Sequence, residues 1–266
     1  MVSEAIGTAA LLAVGLSAVI LIFGAGSPVP PILPDPGARR LIAGFLFGTI
    51  GALIAISPVG KESGAHLNPV VTFSFWLMGN MRHGTVLGYA AAQLAGAALG
   101  SLPLLLWGSL GASVEFGATV PAAAYGWPGA LAGEAAATFV MVLLLLAFVR
   151  SRSARRFTPL LFPFLYAVMV YLEAPISGTS TNPARSFGPS VVSGDWLGWW
   201  VYWLGPTLGA LLAAGAHRIG LFGAVELEVA KLYHFEHDRY RELRHRRPRS
   251  AGASGSRLHR SRTHTQ

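Results

Sequence analysis

The chain contains no cysteine, and only 12% of its 266 residues are charged. Without cysteine it can form neither a disulfide framework nor a thiolate metal site. Soluble domains usually carry about 25% charged residues, and the deficit here is too large to assign to a big soluble core. The mean hydropathy is +0.51. The 32 glycines and 17 prolines also fit a membrane protein, because both residue types are commoner in membrane helices than in soluble ones.

Long apolar stretches indicate how the chain crosses the membrane. A bilayer core about 30 Å thick requires about 20 helical residues. Six stretches qualify or nearly do, at about residues 4–25, 39–59, 84–107, 129–149, 158–174 and 197–216. The first begins Met-Val-Ser-Glu, which lacks the positive charge of a secretory signal peptide. We therefore predict an all-α membrane protein with six transmembrane helices.

Two further apolar stretches, at about residues 68–78 and 182–192, are too short to cross. Each would form about 15 Å of helix, half of a bilayer, so we predict two re-entrant half-helices. Both follow one motif, because the segment SGAHLNPV at 63–70 recurs as SGTSTNPA at 177–184. A second repeated feature is a glutamate near the start of the first and of the fourth span, at Glu4 and Glu134. Each repeat holds three spans, an odd number, so the second repeat is inverted and the working site lies near the midplane.

The Asn-Pro pairs suit the start of a helix inside a membrane. Asparagine is among the best N-cap residues and proline is favoured at the first helical position, so Asn68-Pro69 and Asn182-Pro183 should open the half-helices. Inverted repeats bring these two helix starts together, and each N-terminus carries roughly half a positive charge. This arrangement repels cations, whereas a neutral molecule with lone pairs can accept hydrogen bonds from the asparagine amides.

The segments that lead into the half-helices are expected to border the permeation path. Irregular backbone at membrane depth is tolerated where it lines a wet cavity, and glycine allows close approach of the backbone. We predict pore-lining backbone at Gly64, Ala65, His66, Gly178 and Ser180. Arg185 follows about one turn into the second half-helix, and a buried arginine in a membrane is a functional candidate. The alternative is a surface arginine that pairs with Asp195 or a lipid head group.

The paired motifs resemble the signature of the aquaporin (major intrinsic protein) superfamily, in a bacterial-type form. The family's repeated Asn-Pro-Ala motif appears as Asn68-Pro69-Val70 and Asn182-Pro183-Ala184. Val70 stands where alanine is usual, and its bulk could alter packing between the half-helices. The resemblance covers about residues 4–216. It implies a right-handed bundle of six tilted helices plus two half-helices, assembled as a homotetramer with one pore per subunit; pores of this family are a known case of helix ends excluding cations.

The resemblance also implies a selectivity filter. Thr179 and Arg185 match it in the second motif loop. Val170 matches it in span five, and Phe47 matches it in span two. A one-residue insertion before Ser63 keeps Gly48 open as the alternative in span two. This ring is less polar than that of water-specific members and could admit other solutes. Ser186 and the Tyr202-Trp203 pair instead resemble the water-conducting branch.

Three buried-group assignments come from the same resemblance. Glu4 and Glu134 resemble the family's buried glutamates, which hydrogen-bond the backbone of the motif loops. His66 resembles a histidine that lines the cytoplasmic half of the pore. Glu173, near the end of span five, could face the outer vestibule or an exposed loop.

These observations predict a passive transmembrane channel for water. A facilitator of glycerol, ammonia, urea or a metalloid hydroxide is the alternative. A coupled transporter also uses inverted repeats and broken helices, and the three glutamates keep it open, but the paired Asn-Pro motifs argue against it. No enzyme activity is expected, because no nucleophile–base pair or metal cluster appears in the apolar core. The expected partners are the solute and the lipid bilayer, with no metal, cofactor or nucleic acid.

Charge divides the chain into a channel domain and a tail. Residues 1–217 form the channel domain, with repeats at about 1–108 and 129–217. Residues 218–266 form a basic tail, predicted to be helical at about 224–246 and disordered from Pro248. The loop at 150–156 holds four arginines, so the positive-inside rule places that loop and both termini in the cytoplasm, with the plasma (inner) membrane as the expected location. Arg39 and Arg40 then fall on the outer side, against the rule.

Overall fold

The computed structural model describes residues 1–220, 229–237 and 243. Its principal helices are α1 (Val2–Phe23), α2 (Pro36–Ile56), α3 (Pro69–Leu77), α4 (His83–Ser101), α5 (Gly126–Arg150), α6 (Thr158–Ser177), α7 (Pro183–Ser193) and α8 (Val201–Arg218). Short helical turns lie between them at Val29–Ile32, Pro58–Ser63, Leu102–Trp107, Gly108–Ala112, Glu115–Gly117 and Arg155–Phe157. The described residues contain no β-strand, which confirms the all-α fold class.

All six predicted spans form helices, but only five helical segments of the described chain are long and apolar enough to cross a membrane by length and composition. The sixth, α8, has 18 residues that include Pro206 and end in His217 and Arg218. Its polar end is bonded within the protein. His217 Nε2 lies 3.0 Å from the Leu143 carbonyl oxygen, and its Nδ1 lies 2.8 Å from Arg150 Nη1. α8 therefore depends on the bundle, rather than on its own hydropathy, for its place in the membrane.

Glycines set the three closest helix pairings, α1 with α4, α5 with α8, and α2 with α6. A Cβ atom added at Gly96 would lie 2.2 Å from the Ala5 carbonyl oxygen. One added at Gly209 would lie 2.4 Å from that of Ala135, and one at Gly44 would lie 2.3 Å from that of Tyr166. Small residues let membrane helices approach closely enough for their backbones to touch. The first two pairings are the same contact in each repeat, and the third joins the repeats.

The two half-helices are α3 and α7, with 9 and 11 residues. At about 1.5 Å per residue they rise roughly 14–17 Å, which is half of a bilayer. Each begins at the proline that follows its motif asparagine. α7 packs against α4, a helix of the opposite repeat, and α3 packs against α8 in the same way. The repeats thus interlock, and both half-helices are surrounded by full-length helices.

The predicted helix in the tail is wrong for its described part. Residues 229–237 form bends and turns without helix, and His234 has a φ of 53°. The apolar Val229 and Leu232 are buried, but against the channel domain and not along a helix face. The backbone N–H of Leu232 donates to the Gly64 carbonyl oxygen instead of to a helical neighbour. The rest of the predicted helix and the predicted disorder from Pro248 lie outside the described residues.

Replacing Gly209 by alanine should destabilise the fold by about 1–3 kcal/mol, the usual cost of overpacking, because the new methyl group collides with the α5 backbone. Gly215 lies in the same helix with nothing within 4 Å of an added Cβ, so Gly215→Ala should be neutral or stabilising, by up to about 1 kcal/mol. Thermal unfolding of the purified protein in detergent measures both. Equal unfolding temperatures for the two variants would contradict the packing argument.

Candidate functional site

The two motif asparagines meet at the tips of the half-helices. Asn68 Oδ1 accepts from the Val70 N–H at 2.8 Å, and Asn182 Oδ1 accepts from the Ala184 N–H at 3.0 Å, so each asparagine caps its own helix. Their Nδ2 groups cross over. Asn68 donates to the Thr181 carbonyl at 2.9 Å, and Asn182 donates to the Leu67 carbonyl at 2.9 Å. Each amide keeps a second N–H that can serve a permeating molecule.

The backbone before each asparagine is held in an unusual conformation. Ala65 and Leu67 have φ values of 55° and 53°, and Thr179 and Thr181 have 54° and 50°. Non-glycine residues in this left-handed region cost about 1–2 kcal/mol each, so the surrounding structure must hold them. The same alternation in both loops shows that the repeats match at the level of the backbone.

Two buried carboxyl groups hold these loops from behind. The Glu4 carboxyl accepts from the N–H groups of His66 at 3.1 Å and Leu67 at 2.8 Å. The Glu134 carboxyl accepts from those of Ser180 at 2.6 Å and Thr181 at 2.7 Å. Both glutamates are fully buried. Because the carboxylates take the N–H groups, the loop carbonyls are free to face the opposite side.

Two tyrosines complete the repeated support, and the first was not recognised from the sequence. The Tyr89 hydroxyl donates to the Ser63 carbonyl at 2.8 Å, and the Tyr202 hydroxyl donates to the Ser177 carbonyl at 2.8 Å. The sequence contains the signal, since each tyrosine follows its motif serine by 26 or 25 residues.

A narrow cavity lies between the asparagine tips and the loops. It offers about 40 Å³ to the centres of water molecules, which at about 10–15 Å³ each corresponds to roughly three waters. Polar or backbone groups come from Ala65, His66, Leu67, Asn68 and Asn182. The rest of the wall is mostly apolar: Leu11, Phe47, Gly48, Gly51, Val71, Met141, Phe162, Tyr166 and Leu232. Few molecules fit side by side in such a space.

A wide cavity of about 310 Å³ adjoins the narrow one. All four residues assigned to the filter line it, together with Gly178: Phe47, Val170, Thr179 and Arg185. Arg185 is buried, donates from Nη1 to the Gly117 carbonyl oxygen at 2.6 Å, and places its guanidinium 5.9 Å from the centre of the Phe47 ring. The buried position argues against the surface pairing with Asp195.

Gly48, the alternative to Phe47, lies lower, on the wall of the narrow cavity. A Cβ atom there would be 2.4 Å from the Phe162 carbonyl oxygen, so Gly48 also serves the contact between α2 and α6. Of the two candidates, Phe47 therefore shares the wide cavity with Thr179 and Arg185, and Gly48 does not.

Tyr166 and Arg40 also border the path and were not recognised from the sequence. Tyr166 lines both cavities, its ring centre is 5.8 Å from that of Phe47, and its hydroxyl lies 3.0 Å from Thr181 Oγ1. It lies one helical turn before Val170, which is the only signal in the sequence. Arg40 lines the wide cavity, so a second guanidinium adds positive charge beside Arg185.

Two predicted pore-lining residues lie behind the wall. Ser180 does not border either cavity; its hydroxyl bonds to Ser186 at 2.6 Å and to the Asn182 carbonyl at 2.8 Å. Gly64 is covered by the tail, since its carbonyl accepts from Leu232. Ser180 lies behind the wall because its N–H and its hydroxyl bond to the Glu134 carboxyl and to Ser186, and Gly64 does so because the tail segment 229–237 covers it. Ala65, His66 and Gly178 do lie on cavity walls.

The structure shows the surroundings of Glu173 and Val70, two residues whose roles the sequence left open. Glu173 is buried and does not border the wide cavity; its carboxyl accepts from Ser177, so it faces neither the vestibule nor an exposed loop. Val70 and Ala184, which follow Pro69 and Pro183, are both buried at the start of their half-helices.

Comparisons with known proteins agree with this geometry. The sequence model of a family described as Major intrinsic protein matches residues 1–217. Aquaporin TIP2-1 of Zea mays is 33% identical over 202 residues, covering 74% of this chain and 78% of that protein. Aquaporin NIP1-3 of Oryza sativa subsp. japonica is 34% identical over 221 residues, covering 82% and 72%. Aquaporin-6 of Rattus norvegicus is 33% identical over 216 residues, covering 80% and 75%.

A solved structure shares the fold. The X-ray structure of the aquaglyceroporin from Plasmodium falciparum superposes with a TM-score of 0.64, over 81% of this chain and 93% of that chain. The sequence identity is 21%, so this likeness concerns the fold alone.

Replacing Glu134 by glutamine should lower the free energy of unfolding by about 1–3 kcal/mol, the cost of a buried group left without a partner, because one amide oxygen cannot replace two carboxyl oxygens. Glu134→Leu offers no acceptor and should cost more. Thermal unfolding in detergent measures both, with Glu115→Gln, a change at the exposed first residue of the short helical turn Glu115–Gly117, as the control. If all three variants unfold at one temperature, Glu134 does not hold the loop.

Proposed function

This chain belongs to the major intrinsic protein family, and we propose that water is the principal permeant of its pore. The family and the fold make it a passive transmembrane channel for water or other small neutral solutes. The observation that carries the choice of water is the narrow cavity, whose volume has room for roughly three waters between the loop backbone and the two asparagine amides.

The asparagine tips supply selectivity against ions. Two helix N-termini point at one place, and their partial positive charges oppose a cation. A water molecule there accepts from the free amide N–H groups of Asn68 and Asn182 and donates to loop carbonyls. Arg185 and Arg40 add positive charge on the approach through the wide cavity. Water passes by exchanging hydrogen bonds, whereas a cation would have to give up its hydration shell against like charge.

A second candidate is the passage of larger neutral solutes such as glycerol, ammonia, urea or a metalloid hydroxide. The observation in its favour is the filter ring, in which Phe47 and Val170 are apolar and only Thr179 and Arg185 are polar. The wide cavity of about 310 Å³ would admit such solutes as far as Tyr166. Permeabilities of purified protein to water, glycerol and ammonia, measured side by side by stopped flow, decide between the candidates; a channel that passes glycerol but no water would overturn the choice of water.

The buried glutamates support a passive mechanism. Glu4 and Glu134 each accept from two backbone N–H groups and so act in holding the loops. Neither borders the cavities. A coupled transporter needs titratable groups along the path, and these carboxyls lie behind it.

The membrane location and the orientation of the channel are part of the proposal. The four arginines of residues 150–156 favour a cytoplasmic location for that loop and for both termini, in the plasma (inner) membrane. The face with Arg185 and the wide cavity is then the outer one. Large apolar side chains remain exposed on the helices, among them Leu53, Leu87, Phe164, Leu172 and Leu212. We assign these surfaces to lipid and to the neighbours in a homotetramer.

Replacing Arg185 by valine should raise the permeability to urea and glycerol by about tenfold, the effect of lowering a barrier by about 1.4 kcal/mol, because the ring loses its bulk and its charge. Proteoliposome swelling in gradients of these solutes measures the change. Arg39→Val is the matched control, since Arg39 lies over the Phe23 ring and borders neither cavity. Unchanged solute permeability in Arg185→Val would remove this residue from the filter.

Replacing Val170 by histidine should lower glycerol permeability by about tenfold and leave water permeability largely intact, because the larger polar ring narrows the filter and offers hydrogen bonds to water. The control is Val168→His on the exposed side of the same helix. If glycerol flux is the same in both variants, Val170 does not face the path.

A further inference from the structure

The tail segment 229–237 lies in the cytoplasmic mouth of the pore. The Ala230 carbonyl oxygen is 2.9 Å from Nε2 of His66, and the Leu232 N–H donates to the Gly64 carbonyl oxygen at 3.1 Å. Gly64 and His66 belong to the first motif loop, so the tail bonds the same loop that lines the narrow cavity. These are groups that would otherwise serve a water molecule at the end of the path.

The tail fills this mouth closely. Val229, Ala230, Lys231 and Leu232 are all buried, with exposures of 6%, 0%, 0% and 5%. Leu232 forms part of the wall of the narrow cavity, opposite the asparagine tips. A side chain at Gly64 would place its Cβ 2.9 Å from the Ala230 carbonyl oxygen. His66, whose ring nitrogen bonds the Ala230 carbonyl, is buried under the segment.

Anchors on one side of the mouth come from the end of α2 and the short helix Pro58–Ser63. Lys231 Nζ donates to the Lys61 carbonyl oxygen at 2.5 Å, where the carbonyl end of a helix favours a cation. His234 Nε2 lies 2.9 Å from the Ile56 carbonyl oxygen, and His237 Nε2 lies 3.1 Å from Glu62 Oε1.

Anchors on the other side come from the arginine-rich loop between the repeats. Arg155 Nη2 is 3.6 Å from Glu236 Oε1, and its guanidinium lies 5.1 Å from the centre of the Phe235 ring. The tail thus spans the mouth from the first repeat to the loop that joins the two repeats.

We propose that the cytoplasmic mouth is a binding site for a non-helical peptide segment, that its ligand is this chain's own segment 229–237, and that its occupation closes the channel. The inference rests on the channel function proposed above. Leu232 and the backbone of Ala230 occupy the end of the path, and the loop carbonyl of Gly64 is already bonded. Within the described part of the chain, a water molecule that leaves the narrow cavity on this side meets the Leu232 side chain and a Gly64 carbonyl that is already bonded.

The site is suited to reversible binding. Most of its anchors are single hydrogen bonds to backbone carbonyls, and a typical bond contributes only about 0.5–1.5 kcal/mol net. The Lys231 ammonium is buried with the segment, which costs free energy that its hydrogen bonds only partly offset. Closed and open populations can therefore differ by a modest factor, which a change in the tail can reverse.

A charged substitution tests the site in the full-length protein. Leu232→Asp puts a carboxylate in an apolar wall, so the segment should leave the mouth and the water permeability per channel should rise about tenfold, as for a closed state that outnumbers the open one by that ratio. Tyr233→Asp is the matched control, because it adds the same charge one residue later, beside the open basic cavity of Lys61, Arg152, Arg155 and Arg156. Those cations attract the new carboxylate and hold the segment in the mouth, so the permeability of this variant should not rise above that of the wild type.

A cross-link that holds segment 229–237 in the mouth tests the closed state. The chain has no cysteine, so the pair Glu62→Cys and His237→Cys can be joined selectively by a short bismaleimide, with each single variant as a control. Cross-linked channels should lose their remaining water permeability by about tenfold relative to the single variants. Failure of the cross-link to form, or full permeability after it has formed, would overturn the proposal.

Failure of the closing site can be distinguished from failure of the proposed water permeation. If wild type, Leu232→Asp and Tyr233→Asp conduct water equally well, the mouth is not a closing site, and the channel function stands. If none of them conducts water, including Leu232→Asp, the proposal that water is the permeant fails and the closing site fails with it.

Discussion

Two exchanged hydrogen bonds at mid-membrane hold this structure together. Asn68 donates to the second motif loop and Asn182 donates to the first, each at 2.9 Å. Inside a bilayer every backbone polar group must find a partner within the protein or in a wet cavity. Two helices that end halfway across the bilayer leave backbone polar groups near its centre, where lipid offers them no hydrogen-bond partner. By capping its own helix and bonding the other loop, each asparagine resolves this problem for both halves at once.

The rest of the bundle supports that junction. Loop residues such as Ala65 and Thr179 stay in the left-handed region because the carboxyls of Glu4 and Glu134 hold the next N–H groups. Those carboxyls keep their positions because α1 and α5 are pressed against α4 and α8 through glycine contacts such as that of Gly209 on Ala135. Helix packing thus fixes the carboxyls, the carboxyls fix the loops, and the loops expose the carbonyls that a permeating molecule needs.

Most of the features that could be predicted from the sequence occur in both repeats, although the Tyr89 and Tyr202 pair was not recognised as one. The half-helices, their asparagines and the two glutamates could be placed because each has a counterpart at a matching position. Tyr166 and the Gly117 carbonyl that binds Arg185 could not, since their roles depend on which helix or loop packs beside them. The tail was misread because Val229 and Leu232 have helical spacing, yet their burial comes from the pore mouth and not from a helix face. Helical spacing of apolar residues indicates that their side chains are buried. It does not indicate which part of the molecule covers them.

The inverted repeat makes two equal pore ends, so the difference between the ends must come from side chains. Three residues after the motif asparagine the second repeat has Arg185, whereas the first has Val71. Arg185 lines the wide cavity and Val71 the narrow one. An arginine at the Val71 position would put a guanidinium in the wall that Val71 shares with Leu232 and so remove the apolar surface there. The same exchange of one side chain therefore gives the end at the wide cavity a charged ring and leaves the end at the narrow cavity able to accept an apolar segment of the chain itself.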